Sequence, residues 1–283
     1  MRHGRHWFSK AGLWFGLAFL YVPIVSMIVF SFNNSRLVTV WDAPNSPTLR
    51  WYGELFRNEQ ILGAAWLSIR IAAMSATGAV VLGTLAGLVL ARFGPFRGRA
   101  LLSGMTTAPL VMPEVITGLS LLLLFVSLEQ LIGWPAMRDA ATITIAHITF
   151  SMAYVTIVVQ SRLAGFDNSL EEAALDLGAR PAKVFFRITL PLIVPAIMSG
   201  WLLAFTLSWD DVVVSQFVAG PGSTTLPMVI FSKVRLGVSP DVNALATIMV
   251  LIVATGVVAS AFWMRRQERR REREMQMAAA ANK

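Results

Sequence analysis

The sequence predicts an all-α integral membrane protein with six transmembrane helices and both termini in the cytoplasm. Hydrophobic residues make up 55% of the 283 residues and only 14% are charged, whereas a soluble domain carries about 25% charged residues. The charges are also segregated, since long apolar stretches alternate with short segments that hold most of the basic and acidic residues. This pattern is typical of a chain that crosses a bilayer several times.

Six apolar stretches are long enough to cross a hydrocarbon core of about 30 Å, which needs about 20 helical residues. They cover approximately residues 11–32, 62–91, 101–126, 141–161, 191–209 and 243–264. The first stretch is long for a signal peptide, and no small-residue cleavage pattern follows it, so we expect it to remain as a helix. No repeat or linker divides the chain. We therefore expect a single transmembrane domain over 1–283.

Basic residues concentrate on alternate connections, and this distribution predicts the orientation of the chain. The basic segments contain Arg2, Arg5 and Lys10 at the start, Arg92, Arg97 and Arg99 in the second connection, and six arginines within 265–273. The connections at 33–60, 127–140 and 210–242 are mixed or slightly acidic. The positive-inside rule therefore places both termini and the loop at 162–190 in the cytoplasm. Because the net charge of +8 lies mostly in these flanks, it indicates lipid headgroups as partners and not nucleic acid.

Several kinds of chemistry find no support in the sequence. The chain has no cysteine, which excludes disulfides and cysteine metal sites. His3, His6 and His147 are too scattered for a metal site, and His147 is expected to be a buried, hydrogen-bonded core residue. No lysine follows a glycine, so the chain lacks a nucleotide-hydrolysing P-loop. We expect no catalytic residue, no metal and no cofactor in this chain.

The stretch at 171–191, EEAALDLGARPAKVFFRITLP, is unusually charged for a segment between two apolar runs. Ser169 followed by Glu172 predicts a capping box at a helix start. Gly178 is suited to end that helix in the left-handed conformation, and Pro181 suits the first turn of the next helix. The pattern predicts two short helices joined by a tight turn, at the cytoplasmic face and accessible to a partner.

The same stretch matches a known loop pattern. The pattern consists of Glu172-Ala173-Ala174, three residues, Gly178, nine residues, Ile188, one residue, and Leu190-Pro191. This is the EAA loop, and the chain therefore resembles the membrane subunits of type I ABC importers, with their MetI-like permease fold. In that family the loop forms coupling helices that dock into a groove on a cytoplasmic ATPase.

The resemblance assigns roles to residues of the loop. It implies that Gly178 permits the turn, that Glu171 and Glu172 offer carboxylates to the partner, and that Ala173 and Ala174 keep the surface shallow. It also implies that ATP is bound by the partner ATPase and not by this chain. The alternative is a solvated amphipathic helix that only connects two spans.

Further runs resemble the permease subunits of bacterial polyamine importers. They are LVTVW at 37–41, RWYGELFR at 50–57, APLVMPEVITGLSLLLLF at 108–125, SRL at 161–163 and SGWLLAFTLSWDDVVVSQFVAGPGSTTLPM at 199–228. The resemblance implies an inner-membrane permease for putrescine that forms a heterodimer with a paralogous permease subunit. Its other implied partners are a dimer of cytoplasmic ABC ATPases and a periplasmic polyamine-binding protein. Spermidine or another solute is the alternative within transport.

Glu114 is the first acidic residue expected on a substrate path. A desolvated ammonium needs acidic groups and aromatic faces along its route. Glu114 lies thirteen residues into the third apolar stretch, about 20 Å from its start at helical rise, where an ionisable side chain indicates function. The alternative is a carboxyl paired within the bundle or neutralised by burial. Arg70 either pairs with Glu114 or extends to the outer headgroups.

Asp210 and Asp211 are expected to form an outer acidic mouth to the same path. They lie about 28 Å beyond Pro191 at helical rise, near the outer end of the fifth apolar stretch. Trp209 adjoins them and offers an aromatic face. The alternative for the two aspartates is a solvated helix end. We expect one of the pair to face away from the path.

Two other classes of function are compatible with the composition. A non-transporting membrane scaffold or sensor would not bind an ATPase through 171–191. A proton-coupled secondary transporter would use Glu114 as the proton carrier, although one six-span chain without an inverted repeat is a poor match for that class.

Overall fold

The computed structural model describes residues 3–36, 40–165, 167, 169–236 and 240–281, and helices are the only regular secondary structure among them. Leu37, Val38 and Thr39 of the run at 37–41 lie outside the described residues. The helices are α1 (His3–Phe30), α2 (Arg50–Arg57), α3 (Glu59–Arg92), α4 (Arg99–Val111), α5 (Glu114–Ile132), α6 (Ala140–Ala164), α7 (Ser169–Asp176), α8 (Pro181–Val184), a π-helical turn (Phe185–Thr189), α9 (Leu190–Trp209), α10 (Val213–Val218), α11 (Leu226–Leu236) and α12 (Pro240–Ala281).

Five helical segments of the described chain are long and apolar enough to cross a membrane. They are Trp7–Phe30, Glu59–Arg92, Glu114–Ile132, Ala140–Ala164 and Pro181–Trp209. The shorter apolar segment Pro240–Gly256 forms the start of α12. An all-helical membrane protein with at least five apolar helices is therefore confirmed.

The third apolar stretch, 101–126, forms two helices and not one. Helix α4 ends at Val111 and α5 begins at Glu114, with Met112 and Pro113 in extended backbone conformations between them. Proline lacks an N–H and pushes the residue before it out of the helical region, which explains the break. Glu114 consequently lies in the first turn of α5 and not in the interior of a long helix, so its depth does not follow from a count along one span.

Contacts divide the chain into two compact units, of which the first comprises Met1–Glu59 and Lys233–Lys283; the single transmembrane domain stays a prediction. In this unit α12 packs against α1 and α2. Buried Asn33 orders the loop before α2: its Nδ2 donates to the Val40 carbonyl at 2.7 Å, and its Oδ1 accepts from the Asp42 N–H at 2.9 Å. Trp51 Nε1 donates to the Asn33 carbonyl at 2.7 Å.

The second unit, Gln60–Ser232, is built on close packing between α3, α6 and α9. A Cβ on Gly83 of α3 would lie 2.7 Å from Cβ of Val155 and 2.8 Å from the carbonyl oxygen of Met152, both on α6. On α9, a Cβ on Gly200 would lie 3.3 Å from Val155. Small residues let helix backbones approach closely in membrane proteins, where van der Waals packing supplies much of the attraction.

The segment after α9 folds back onto α5 and α6 of the second unit. Helix α10 packs against both helices, and Thr142 Oγ1 donates to the Val218 carbonyl at 2.8 Å. Gly118 allows the approach on the α5 side, since a Cβ there would lie 2.6 Å from the Phe217 ring. This packing places Asp210 and Asp211 beside α5 and α6, which their position in the sequence alone did not indicate.

Candidate functional site

The start of α7 is capped by Asp167. Its Oδ1 accepts a hydrogen bond from the Ser169 backbone N–H at 3.0 Å, a bond that lowers the pKa of the Asp167 carboxyl below its usual range. The capping box expected from Ser169 and Glu172 is therefore not the arrangement found, because the Asp167 carboxylate, and not the Ser169 hydroxyl, accepts a backbone hydrogen bond at the start of α7. A carboxylate at a helix N-terminus is favoured by the free N–H groups and the helix dipole.

The turn after α7 follows the prediction for Gly178. Gly178 has φ +82°, the left-handed conformation that glycine adopts at low cost. Its N–H donates to the Leu175 carbonyl at 2.9 Å, and the Ala179 N–H donates to the Ala174 carbonyl at 3.0 Å. These two bonds form a Schellman motif. Pro181 then begins α8, as predicted.

A π-helical turn connects α8 to α9 and contains Ile188 of the EAA pattern. Leu190 and Pro191 are the first two residues of α9. The Leu190 N–H donates to the Phe185 carbonyl five residues earlier, which is the π pattern. Pro191 has no N–H to give to the carbonyl four residues before it, so the wider turn avoids an α-helical bond that this sequence cannot complete.

The two adjacent glutamates of the loop lie in different surroundings. Glu171 Oε1 accepts from Arg92 Nη2 at 3.2 Å and from Thr189 Oγ1 at 2.6 Å. Glu172 is exposed, as is Ala173, while Ala174 is half-buried. Leu177 is 89% exposed beside them. Both carboxylates were expected to face a partner. In the structure, the Glu171 carboxylate is bound by residues of its own chain.

Glu114, Asp210 and Asp211 line one cavity of about 490 Å³ in the second unit. Phe150 and Tyr154 of α6 contribute aromatic side chains to the same wall. The structure therefore brings together the three acidic residues that were selected from the sequence. The aromatic pair was not among the expected site residues, since nothing in the sequence marks which face of α6 meets α5 and α10.

The Asp211 carboxylate is buried and hydrogen-bonded within the protein. Its side chain is 6% exposed, its Oδ1 accepts from the Val214 N–H at 3.2 Å, and its Oδ2 accepts from the Ser215 N–H at 2.7 Å. It thereby satisfies free N–H groups at the start of α10. Asp210 and Glu114 are exposed to the cavity region. Two of the three carboxylates are consequently available to a ligand.

His147 supports Asp211 from α6. Its Nε2 lies 3.2 Å from Asp211 Oδ2 and 3.1 Å from Ser215 Oγ, and its Nδ1 lies 2.6 Å from Ser208 Oγ. The imidazole is 1% exposed. The expectation of a buried, hydrogen-bonded His147 matches this geometry, whereas its link to Asp211 could not be seen in the sequence.

Trp209 and Arg70 do not join the acidic cluster. Trp209 is not among the residues that line the cavity, and its ring stacks on Phe205 with 6.1 Å between centroids. Arg70 is exposed on α3, and the ion pairs of the described residues do not join it to Glu114. The described residues contain no group of three or more His, Cys, Asp or Glu that could hold a metal ion.

The described residues combine five long apolar helices, a charged helix–turn–helix after α6 and an acidic cavity, which are features of a polytopic membrane protein with a polar binding cavity. The chain belongs to the family described as binding-protein-dependent transport system inner membrane component, which matches residues 79–273. This membership confirms the resemblance to ABC importer permeases that the EAA pattern indicated.

Within this family, the chain is similar to permeases of polyamine transport systems. The chain is 57% identical over 265 residues to the putrescine transport system permease protein PotI of Escherichia coli strain K12, covering 93% of this chain and 92% of the relative. It is 44% identical over 243 residues to the spermidine/putrescine transport system permease protein PotC of the same strain, covering 86% and 88%. The Haemophilus influenzae PotC is 41% identical over 256 residues, covering 90% and 96%.

Solved structures share the fold at low sequence identity. A chain of a bacterial ABC transporter that imports the acidic polysaccharide alginate superposes with a TM-score of 0.69 at 16% identity, covering 92% of this chain and 98% of that one. A chain of the MetNI methionine ABC transporter gives 0.55 at 16% identity, covering 71% and 92%. The protein therefore has the MetI-like permease fold.

Proposed function

We propose that this chain is the permease subunit of an ATP-driven importer for putrescine and forms half of its translocation pore. The observation that carries the proposal is the cavity on which Glu114 and Asp210 converge, in a chain 57% identical to a permease named for putrescine transport. Spermidine is the second candidate, because relatives named for spermidine and putrescine are 44% identical.

The chemistry of the cavity suits a small dication. Putrescine carries an ammonium group at each end of a short methylene chain, and a desolvated ammonium is costly without a partner of opposite charge. Glu114 and Asp210 supply two carboxylates, while Phe150 and Tyr154 supply aromatic faces that attract cations. Asp211 shapes the wall by capping α10. These groups support a substrate path that includes Glu114, Asp210 and Asp211.

Uptake of radiolabelled putrescine into reconstituted vesicles tests the function. We expect accumulation only when the vesicles contain this chain, its paralogous permease and the ATPase, and when the binding protein and ATP are supplied on the appropriate sides. Unlabelled spermidine as competitor separates the two candidate solutes. Accumulation that proceeds without ATP would contradict the importer and favour secondary transport, whereas the absence of any polyamine uptake would favour a scaffold or sensor.

The proposed orientation has six spans in the bacterial inner membrane and both termini in the cytoplasm. It is supported by the basic residues before α1, after α3 and in the C-terminal tail, and by the length of α12, which extends as helix from Pro240 to Ala281. A reporter fused after Lys283 should accordingly be active only as a cytoplasmic fusion; a periplasmic signal would overturn this topology.

The proposed source of energy is a cytoplasmic ABC ATPase that binds ATP and docks on α7 and the turn at Gly178. Exposure of Glu172 and Leu177 supports this surface. The pore is completed by a paralogous permease, and the solute is delivered by a periplasmic polyamine-binding protein. A solved relative of the fold was obtained in complex with a solute-bound periplasmic protein, which supports that last partner.

Glu172→Lys is expected to abolish copurification of the ATPase, because it reverses the charge at an exposed position on the proposed docking surface. The helix itself should persist, since lysine is a good helix former. Pull-down of the ATPase with the tagged permease measures the effect, and Glu129→Lys on α5 serves as a control for a charge reversal elsewhere. Normal ATPase recovery with the Glu172 variant would exclude Glu172 from the docking surface.

A further inference from the structure

We propose that Glu171 is not a docking residue but a positioning residue that transmits movement of α7 to the membrane helices. This inference rests on the proposed function, because it concerns how an ATPase bound to α7 drives the pore. Glu171 adjoins the EAA pattern in the sequence, yet its carboxylate is turned towards its own subunit.

The Glu171 carboxylate joins three elements at one point. Arg92, the last residue of α3, donates from Nη2 at 3.2 Å, and Thr189, the last residue of the π turn, donates from Oγ1 at 2.6 Å. The side chains of Arg92 and Glu171 are each 20% exposed, and Thr189 is 6% exposed. A charged hydrogen bond in such a partly dehydrated position is stronger than one at an open surface. We name this arrangement the Glu171 latch.

The rest of α7 is attached only loosely to the second unit. None of the described residues of α7 is buried. A cavity of about 340 Å³ adjoins it, lined by Leu88 of α3, Leu175 of α7 and Phe185 of the π turn, and also by Arg92, Glu171 and Thr189. Helix α7 also packs against α8 and the π turn. Since apolar packing does not fill this space, the latch is the charged contact that joins α7 to the end of α3 and to Thr189 before α9.

The bond between Thr189 and Glu171 connects α7 to the π turn. Single π turns interrupt the regular bonding of a helix and often occur at functional sites. Here the turn lies between α8 and α9 because Pro191 prevents regular α-helical bonding. Movement of Thr189 therefore acts at an irregular turn of the segment Pro181–Trp209, where regular α-helical bonding is already interrupted.

Coupling between ATP hydrolysis and uptake tests the latch in the assembled importer. We expect Glu171→Ala and the nearly isosteric Thr189→Val to lower the amount of putrescine imported per ATP hydrolysed by about fivefold or more, the range of a typical coupling interaction. ATPase copurification should be unchanged. Glu129→Gln, an exposed carboxylate on α5 outside the latch, both cavities and the docking surface, is the control for the coupling ratio.

A charge exchange distinguishes transmission from a merely structural role. Arg92→Glu and Glu171→Arg, each expected to uncouple alone, should restore much of the ratio when combined, because the ion pair is re-formed with reversed polarity. An unchanged ratio in both Glu171→Ala and Thr189→Val would overturn the proposal, and loss of ATPase copurification with Glu171→Ala would return Glu171 to the docking surface. Failure of the wild-type importer to take up putrescine would instead reject the proposed solute. The latch would then be tested by the stimulation of ATP hydrolysis on addition of the binding protein, compared between the wild type and the variants.

Discussion

Replacing Glu114 by Gln and Asp210 by Asn together is expected to lower putrescine uptake by about a hundredfold, with each single change costing about tenfold. The estimate takes the low end of the range for a hydrogen bond to a charged group, about 1.5 kcal/mol per substitution, because the amide oxygen still accepts a hydrogen bond from the ammonium; this corresponds to about tenfold in rate. Both side chains keep their size, so the cavity of about 490 Å³ should retain its shape. Initial uptake rates at saturating binding protein, normalised to the permease content of the membrane, measure the effect.

Two further variants show whether the loss is specific to the cavity. Glu129→Gln removes a carboxylate from an exposed position on the same helix, α5, outside the cavity lining, and should leave uptake unchanged. Asp211→Asn should lower the thermal stability of the complex, because an amide cannot accept the hydrogen bonds that both Asp211 oxygens receive from the start of α10. Full uptake by the Glu114 and Asp210 double variant would remove both residues from the substrate path.

Gly83→Ala is expected to destabilise the second unit by about 1–3 kcal/mol, the usual cost of overpacking. The added methyl would lie 2.7 Å from Val155 Cβ and 2.8 Å from the Met152 carbonyl oxygen. Since one of these neighbours is backbone, α3 and α6 must separate. The expected result is a lower melting temperature of the assembled complex in detergent. It is measured by size-exclusion chromatography of samples heated to increasing temperatures.

Gly63→Ala is the matched control, because Gly63 is on the same helix and a Cβ there meets nothing within 4 Å. Alanine is the better helix former by about 1 kcal/mol, so this variant should be neutral or slightly stabilising. Opposite signs for one substitution at two positions of α3 would establish that backbone approach, and not helix propensity, requires Gly83. Equal melting temperatures for the two variants would contradict the close α3–α6 packing.

Much of the coupling region could be predicted locally. Gly178 and Pro181 have conformational preferences that act within a few residues, and the structure has the expected left-handed turn and helix start. The cap at the start of α7 was assigned wrongly, because Asp167 and Ser169 are both good capping residues two positions apart and sequence alone does not rank them. The broken third stretch shows the same limit: Pro113 lies at the break, but the apolar stretch 101–126 continues across it and does not show that one helix ends there.

The sequence by itself determined the class of the protein. Hydropathy and charge segregation act directly on insertion into a bilayer, and turn residues act within a few positions of a short loop, so none of them depends on distant contacts. It also identified Glu114, Asp210 and Asp211 as unusual. Only the tertiary structure decided which of these carboxylates is available to a ligand. Asp211 is hydrogen-bonded by His147, which is distant in the sequence, and by the start of α10. The same holds for Glu171 and Glu172, which the chain places side by side and the fold turns in different directions, one towards Arg92 and one towards solvent.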